Sequence, residues 1–267
     1  MNPVFRWLLF ASSLFFGILL MMEAGRYMGS RIRAKDVTST GAGFGVLEGC
    51  LFGLLGLILA FSFSGAATRF DTRRQMIVEE ANCIGTAYLR LDLLPVQTQP
   101  ELREMFRQYV DGRLIAYNAA PDMDRVRAEI SRSAVIQGQI WKKALAASQQ
   151  TGTSQATMLV LPALNEMFDI GNTHYMATKI HPPKVVYLLM FILILVCSLL
   201  AGFEMGFGKA RSWIHAAGFA SLLAITVYTI VDLEYPRLGL FRIKAMDQAL
   251  IDVRNSMDTG AGEQNAK

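Results

Sequence analysis

Four long apolar runs organise this chain: Trp7–Met22, Gly49–Thr68, Val185–Phe203 and Ser212–Val231. The last three each hold 19 or 20 residues with no Asp, Glu, Lys or Arg. About 20 apolar residues are needed to cross a bilayer core as a helix, and soluble core helices are seldom so long and so evenly apolar. The runs come in two pairs around a polar insert. The pattern predicts an all-α membrane protein with four transmembrane helices, two on each side (2+2) of a helical soluble domain. Residues 1–68 then hold transmembrane helices 1 and 2, 69–183 the soluble domain, 184–234 helices 3 and 4, and 235–267 a C-terminal segment with a disordered end. An even number of spans puts the insert and both termini on one side of the bilayer.

The first run has some features of a cleaved leader. Arg6 followed by sixteen uncharged residues resembles one, but the run is long and Met22–Glu23–Ala24 is a poor cleavage site. A retained anchor is expected.

Every segment of the insert carries helical periodicity. Ile77, Ile84, Tyr88 and Leu91 share one side of a helix that Pro95 ends. Pro100 opens the next at its first turn, where a missing amide is harmless, and Glu101 and Glu104 suit the positive helix start. Met105, Tyr109, Leu114 and Tyr117 continue its apolar side. Pro121, with Asp122 and Asp124, opens a third helix through Val126, Ile130, Ile136 and Ile140. A fourth runs from Ala156 to Ile180, kinked or interrupted at Pro162. Such helices either form a bundle or extend the membrane helices into water.

Charge adds the borders. The insert is nearly neutral, with 13 basic and 12 acidic residues from Arg69 to Lys179, and it lacks the basic stripe of a nucleic-acid surface. Basic residues collect at span ends, which makes the lipid bilayer the first partner. Counting Lys and Arg near those ends gives nine on the insert side and six on the other, which leans to a cytoplasmic insert. Cys50, Cys83 and Cys197 are scattered, as are His174, His181 and His215, so neither a disulfide framework nor a metal site is expected, and no cofactor is implied. Glu79 and Glu80 are adjacent carboxylates pointing about 100° apart on a helix. No phosphate loop or nucleophile set stands out, so an enzyme is not expected. Mid-membrane polar groups or broken helices, which a transporter needs, are missing too.

The second run carries a stripe of small residues, Gly45, Gly49, Gly53, Gly56, Ala60 and Ser64, spaced by three or four. Two readings stand: a close helix–helix interface, within or between subunits, or part of a pore wall. Glu48, Phe52, Leu59 and Phe63 lie beside the stripe. In an oligomer with these inward, Glu48 would ring one mouth and the apolar side chains would form constrictions; otherwise Glu48 is a charge snorkelling at the interface. Beyond the run, Arg69, Asp71, Arg73 and Arg74 form a charge cluster, and Asp232, Glu234, Arg237 and Arg242 form another around Pro236 where the fourth run ends. Salt bridges between the clusters would clamp the two helix exits together. Asn82 and Thr86, among apolar neighbours, suggest buried polar contacts.

The stretch from Leu54 to Pro95, LLGLILAFSFSGAATRFDTRRQMIVEEANCIGTAYLRLDLLP, resembles the signature of the bestrophin-like family of bacterial membrane proteins. The exit from the fourth run, Asp232 to Ile243, DLEYPRLGLFRI, resembles that family's C-terminal motif. With the four-span layout the similarity covers nearly the whole chain. The family's name implies a remote relation to bestrophins, pentameric anion channels with a 2+2 span order around a cytosolic helical region. In them the second span lines the pore and carries an apolar neck, and Phe52, Leu59 and Phe63 occupy the analogous place by position. The resemblance implies a homo-oligomeric channel, pentameric by that analogy and conducting ions such as chloride, in the bacterial inner membrane. The alternative is a non-conducting scaffold or sensor whose helical domain binds a partner.

Overall fold

The computed structural model describes residues 3–35, 45–150, 154–207, 213–236 and 244–264. Among these, every element is helical: α1 (Pro3–Lys35), α2 (Gly45–Leu89), a 3-10 turn (Arg90–Leu93), α3 (Gln99–Asn118), α4 (Met123–Gln150), α5 (Ser154–Ala177), α6 (Lys184–Phe207), α7 (Trp213–Glu234) and α8 (Lys244–Gln264). Four of them, α1, α2, α6 and α7, are long and apolar enough to cross a membrane. The chain divides into two compact units, Met1–Phe70 with His181–Phe241, and Asp71–Ile180 with Arg242–Lys267.

The membrane unit holds α1, α6, α7 and the first part of α2. Its core is aliphatic: Leu14, Ile18 and Met22 of α1 meet Leu55 and Ala66 of α2, Met190, Ile194 and Cys197 of α6, and Ala220, Val227 and Ile230 of α7. Its outer surface carries exposed Phe16, Leu20, Leu57, Leu188, Leu222 and Ile225, the inverse of a soluble surface and suited to lipid. The tightest seam joins α1 and α6. A Cβ on Gly25 or Gly202 would drive into the backbone of the other helix, at Leu199 and Met22 respectively, and a Cβ on Gly206 would come within 2.7 Å of the Arg26 carbonyl oxygen. Gly25 and Gly29 on one helix and Gly202 and Gly206 on the other are each spaced by four. Their bare backbones let the helices approach where packing, not hydrophobic sorting, drives association. Arg33 closes the end of the seam on the Phe207 carbonyl.

The soluble unit packs the second part of α2 with α3, α4, α5 and α8. Ile77, Ile84, Leu91, Leu102, Phe106, Tyr109, Ile140, Leu164 and Met167 are fully buried there. α2 runs unbroken for 45 residues, from the apolar run into the insert. α5 is one helix through Pro162, so the expected interruption does not occur. The exposed ring leaves only one backbone donor missing, an amount the remaining ladder tolerates. Asp122 caps α4 by accepting from the Arg125 amide at 3.1 Å. The sequence assigned no element to the C-terminal segment, yet α8 forms there. Leu250 and Met257, buried and seven residues apart, fix it against the unit, and Met257 O accepts from Tyr88 and Arg107.

Candidate pore helix and its ionic anchors

On α2, Glu48, Leu55 and Ala66 are buried, and Leu51, Phe52, Ile58 and Leu59 pack against the membrane-unit core. These positions share the face turned toward the other helices of the chain. Phe52 meets Phe219 of α7 edge to face, with centroids 6.2 Å apart. The small-residue stripe faces elsewhere. Cβ atoms built on Gly45, Gly49, Gly53 and Gly56 would find nothing within 4 Å, and Ala60 and Ser64 are exposed. Among the described residues of one chain the stripe therefore makes no close helix contact, which leaves the between-subunit reading open, and the close contact within the chain is made by Gly25, Gly29, Gly202 and Gly206. Of the four constriction candidates, Phe63 is exposed, at 45%, whereas Phe52 and Leu59 are partly covered by their own subunit. Glu48 is 5% exposed with an unpartnered Oε1 among the described residues. Within one chain it is covered and presents no open charge.

Where the apolar runs end, Glu234 is wholly buried; Arg69 Nε donates to its Oε2 at 2.8 Å, and Arg69 Nη2 pairs with the same oxygen at 2.8 Å. His181 Nδ1 lies 2.9 Å from its other oxygen, and the His181 ring stacks on Tyr235 at 4.7 Å. α2, the α7 end and the segment before α6 therefore converge on one carboxylate. Asp232 is also buried, with Tyr228 Oη donating to it at 3.3 Å. Arg73 serves the soluble unit: it donates to the carbonyls of Ala177 and Ile180 at the end of α5, at 3.2 and 2.9 Å, where a cation suits the negative helix terminus. Arg74 and Asp71 pair at the surface at 3.3 Å, an arrangement of little energetic weight. Arg237 and Arg242 lie outside the described residues.

The strongest anchor is three turns beyond the apolar run. Glu80 of α2 is fully buried. Arg113 Nε of α3 donates to it at 2.6 Å, Tyr117 donates to its other oxygen, and His174 Nδ1 of α5 is 2.9 Å away. Arg113 Nη2 also reaches Tyr117 Oη at 2.5 Å and the Gly171 carbonyl at 2.9 Å. A side chain at Gly171 would press on Tyr109 Oη at 2.8 Å and on Glu80 and Arg113. Burial by itself would raise the Glu80 carboxyl, but the Arg113 guanidinium and the His174 hydrogen bond outweigh it and hold the group at about 2. Burial, followed by the Glu80 charge, pushes the Tyr117 hydroxyl well above its ordinary value. Glu80 is thus a locked ion that ties α2 to α3 and α5. It is not a proton donor.

Sequence reasoning noted Glu80 only beside Glu79, which is exposed, and did not join it to its partners. A signal was present: Tyr109, Arg113 and Tyr117 recur every four residues, and His174 continues the buried Val160, Leu164, Met167, Gly171 face. Asn82 and Thr86, read as buried, are exposed. Among the described residues no group of three or more His, Cys, Asp or Glu is placed to hold a metal.

Four membrane-length helices joined to a helical soluble unit define a polytopic all-helical membrane protein. The chain belongs to the bestrophin-like domain family, whose pattern matches residues 13–247. A bacterial bestrophin homologue from Klebsiella pneumoniae carrying one substitution superposes with a TM-score of 0.66 at 14% identity, over 91% of this chain and 97% of that one. A second substituted form of the Klebsiella pneumoniae homologue gives 0.63 at 15%, over 92% and 98%. The crystal structure of a substituted membrane protein gives 0.65 at 15%, over 91% and 99%. At these identities the likeness shows the fold. No curated protein matches the chain in sequence.

Proposed function

We propose that this chain is the subunit of a homo-oligomeric ion channel, anion-conducting, in which α2 lines the pore. The observation that carries the reading is the open small-residue face of α2. Cβ atoms built on Gly45, Gly49, Gly53 and Gly56 meet nothing within 4 Å among the described residues, and a polar-capable, uncovered helix face in a membrane calls for other protomers or water. Phe63 stands at the edge of that face and supplies an apolar constriction, which resists ions because dehydration there finds no compensating polar contact. The bestrophin homologues that share the fold support a channel, and the bestrophin relation supports a pentamer and chloride. The border charge and the same relation favour an inner-membrane protein with its helical unit and both termini in the cytoplasm. The domain division at residues 1–68, 69–183, 184–234 and 235–267 goes with this reading.

The test is purified protein, counted by native mass spectrometry and reconstituted into liposomes for chloride efflux. A defined oligomer with efflux above protein-free vesicles supports the proposal. A monomer, or an oligomer without flux across varied pH, calcium and voltage, transfers the weight to a scaffold.

A further inference from the structure

Within the soluble unit, α3, α4 and α5 enclose a cavity of about 330 Å3, a volume within the range of small-molecule sites. Its polar walls are Arg113, Ser133, Gln137, Asp169 and Asn172. Arg113 does not make it an anion receptor, because its charge is matched by Glu80 and its Nη2 is divided between Tyr117 and Gly171. Of the other lining side chains, Ser133, Gln137, Asn172 and Tyr175 can both donate and accept, whereas the Asp169 carboxylate only accepts. Ser133 is 2% exposed, and its Oγ has no hydrogen-bond partner among the described residues; the buried Glu129 Oε2 is in the same state. Both lie close to the backbone of Gly112, at 3.0 and 3.9 Å from where its Cβ would stand. Asp169 Oδ2 accepts from Asn165 at 2.9 Å. Asp169 is the one lining side chain whose charge has no opposite charge paired with it in the lining, since Arg113 is held by Glu80.

Buried acceptors without donors are costly, and an ammonium or guanidinium group brings several donors and no acceptor. We propose that this cavity binds a small organic cation, an alkylammonium or guanidinium compound. Asp169 and Ser133 hold the charged end, and Phe168 offers an aromatic wall to it. A small anion would face the Asp169 carboxylate, and a neutral polyol would leave that charge unmatched. The site is independent of whether the chain conducts.

The test is calorimetric titration of the full-length protein in detergent with 1,4-diaminobutane, against 1,4-butanediol at equal ionic strength. Saturable binding of the diamine and none of the diol is expected. Asp169→Asn should weaken binding by about tenfold or more, the loss of one charge-assisted contact. Ala134→Phe, which fills the cavity, should abolish it. Glu104→Gln, exposed on α3 and outside the cavity lining, should leave it unchanged. No saturable heat, equal heats from diamine and diol, or undiminished binding by Asp169→Asn would each overturn the proposal. The Asp169 position is exposed, so that variant remains decisive even where Ala134→Phe fails to fold.

Discussion

Arg113 Nε donates to Glu80 Oε1 across 2.6 Å, and neither side chain is more than 4% exposed. A pair this deep is held by geometry. Removing one partner leaves a buried charge without its counter-ion. Glu80→Gln should therefore destabilise the soluble unit by about 3–5 kcal/mol. The double variant Glu80→Gln, Arg113→Met should lose less than the two single variants summed. Thermal unfolding of the four proteins in one detergent gives the cycle, and additive losses would show that the pair is not coupled.

Acid should expose the same group. The Glu80 carboxyl is held at about 2 when folded, against an ordinary 4.5. On acidification the unfolded chain takes up this proton first, so the contribution is complete above the ordinary value and is lost as pH falls from there toward the folded one. The melting temperature of the native protein should fall more steeply than that of Glu80→Gln between about pH 5 and 3. Parallel curves would contradict the assignment.

The two sets of membrane glycines should behave differently. Gly202→Leu and Gly25→Leu force a side chain into the backbone of the facing helix and should cost about 3 kcal/mol or more, at or beyond the upper range for overpacked sites. A Cβ at Gly53 meets nothing within 4 Å among the described residues. Gly53→Leu should spare the protomer fold and instead reduce the oligomer measured by native mass spectrometry. Equal thermal loss from Gly53→Leu and Gly202→Leu would overturn this division.

The phenylalanines of α2 separate packing from conduction. Phe61 and Phe63 are 69% and 45% exposed, while Phe52 is packed on Phe219. Phe63→Ala should raise liposome chloride leak at unchanged stability. Phe52→Ala should lower stability by about 1–2 kcal/mol through lost apolar burial. Phe61→Ala should change neither. Identical flux from all three would remove Phe63 from the pore.

The fold was legible where a single period persists. Val185–Phe203 and Ser212–Val231 are uninterrupted apolar runs, and the insert helices show their buried faces as Ile77, Ile84 and Leu91 or Ile136 and Ile140. Contacts between helices were not so legible. The α2 stripe is longer than the Gly25–Gly29 and Gly202–Gly206 pairs, yet the pairs make the contact, because small residues permit approach without specifying a partner. α8 was missed because only Leu250, Val253 and Met257 mark its inner face amid polar residues. The Glu80 anchor joins positions 80, 113 and 174, a convergence that no local spacing displays.

The central claim, that the open face of α2 lines an ion pathway, is tested most directly by modifying it. Ser64→Cys and, as a lipid-facing control, Ile225→Cys are introduced into protein lacking Cys50, Cys83 and Cys197. Both are reconstituted in liposomes, and chloride efflux is recorded before and after a charged, membrane-impermeant thiol reagent. The account predicts efflux that the reagent alters at Ser64→Cys and leaves unchanged at Ile225→Cys. Efflux insensitive to modification at Ser64→Cys, or no efflux from either protein, would contradict it.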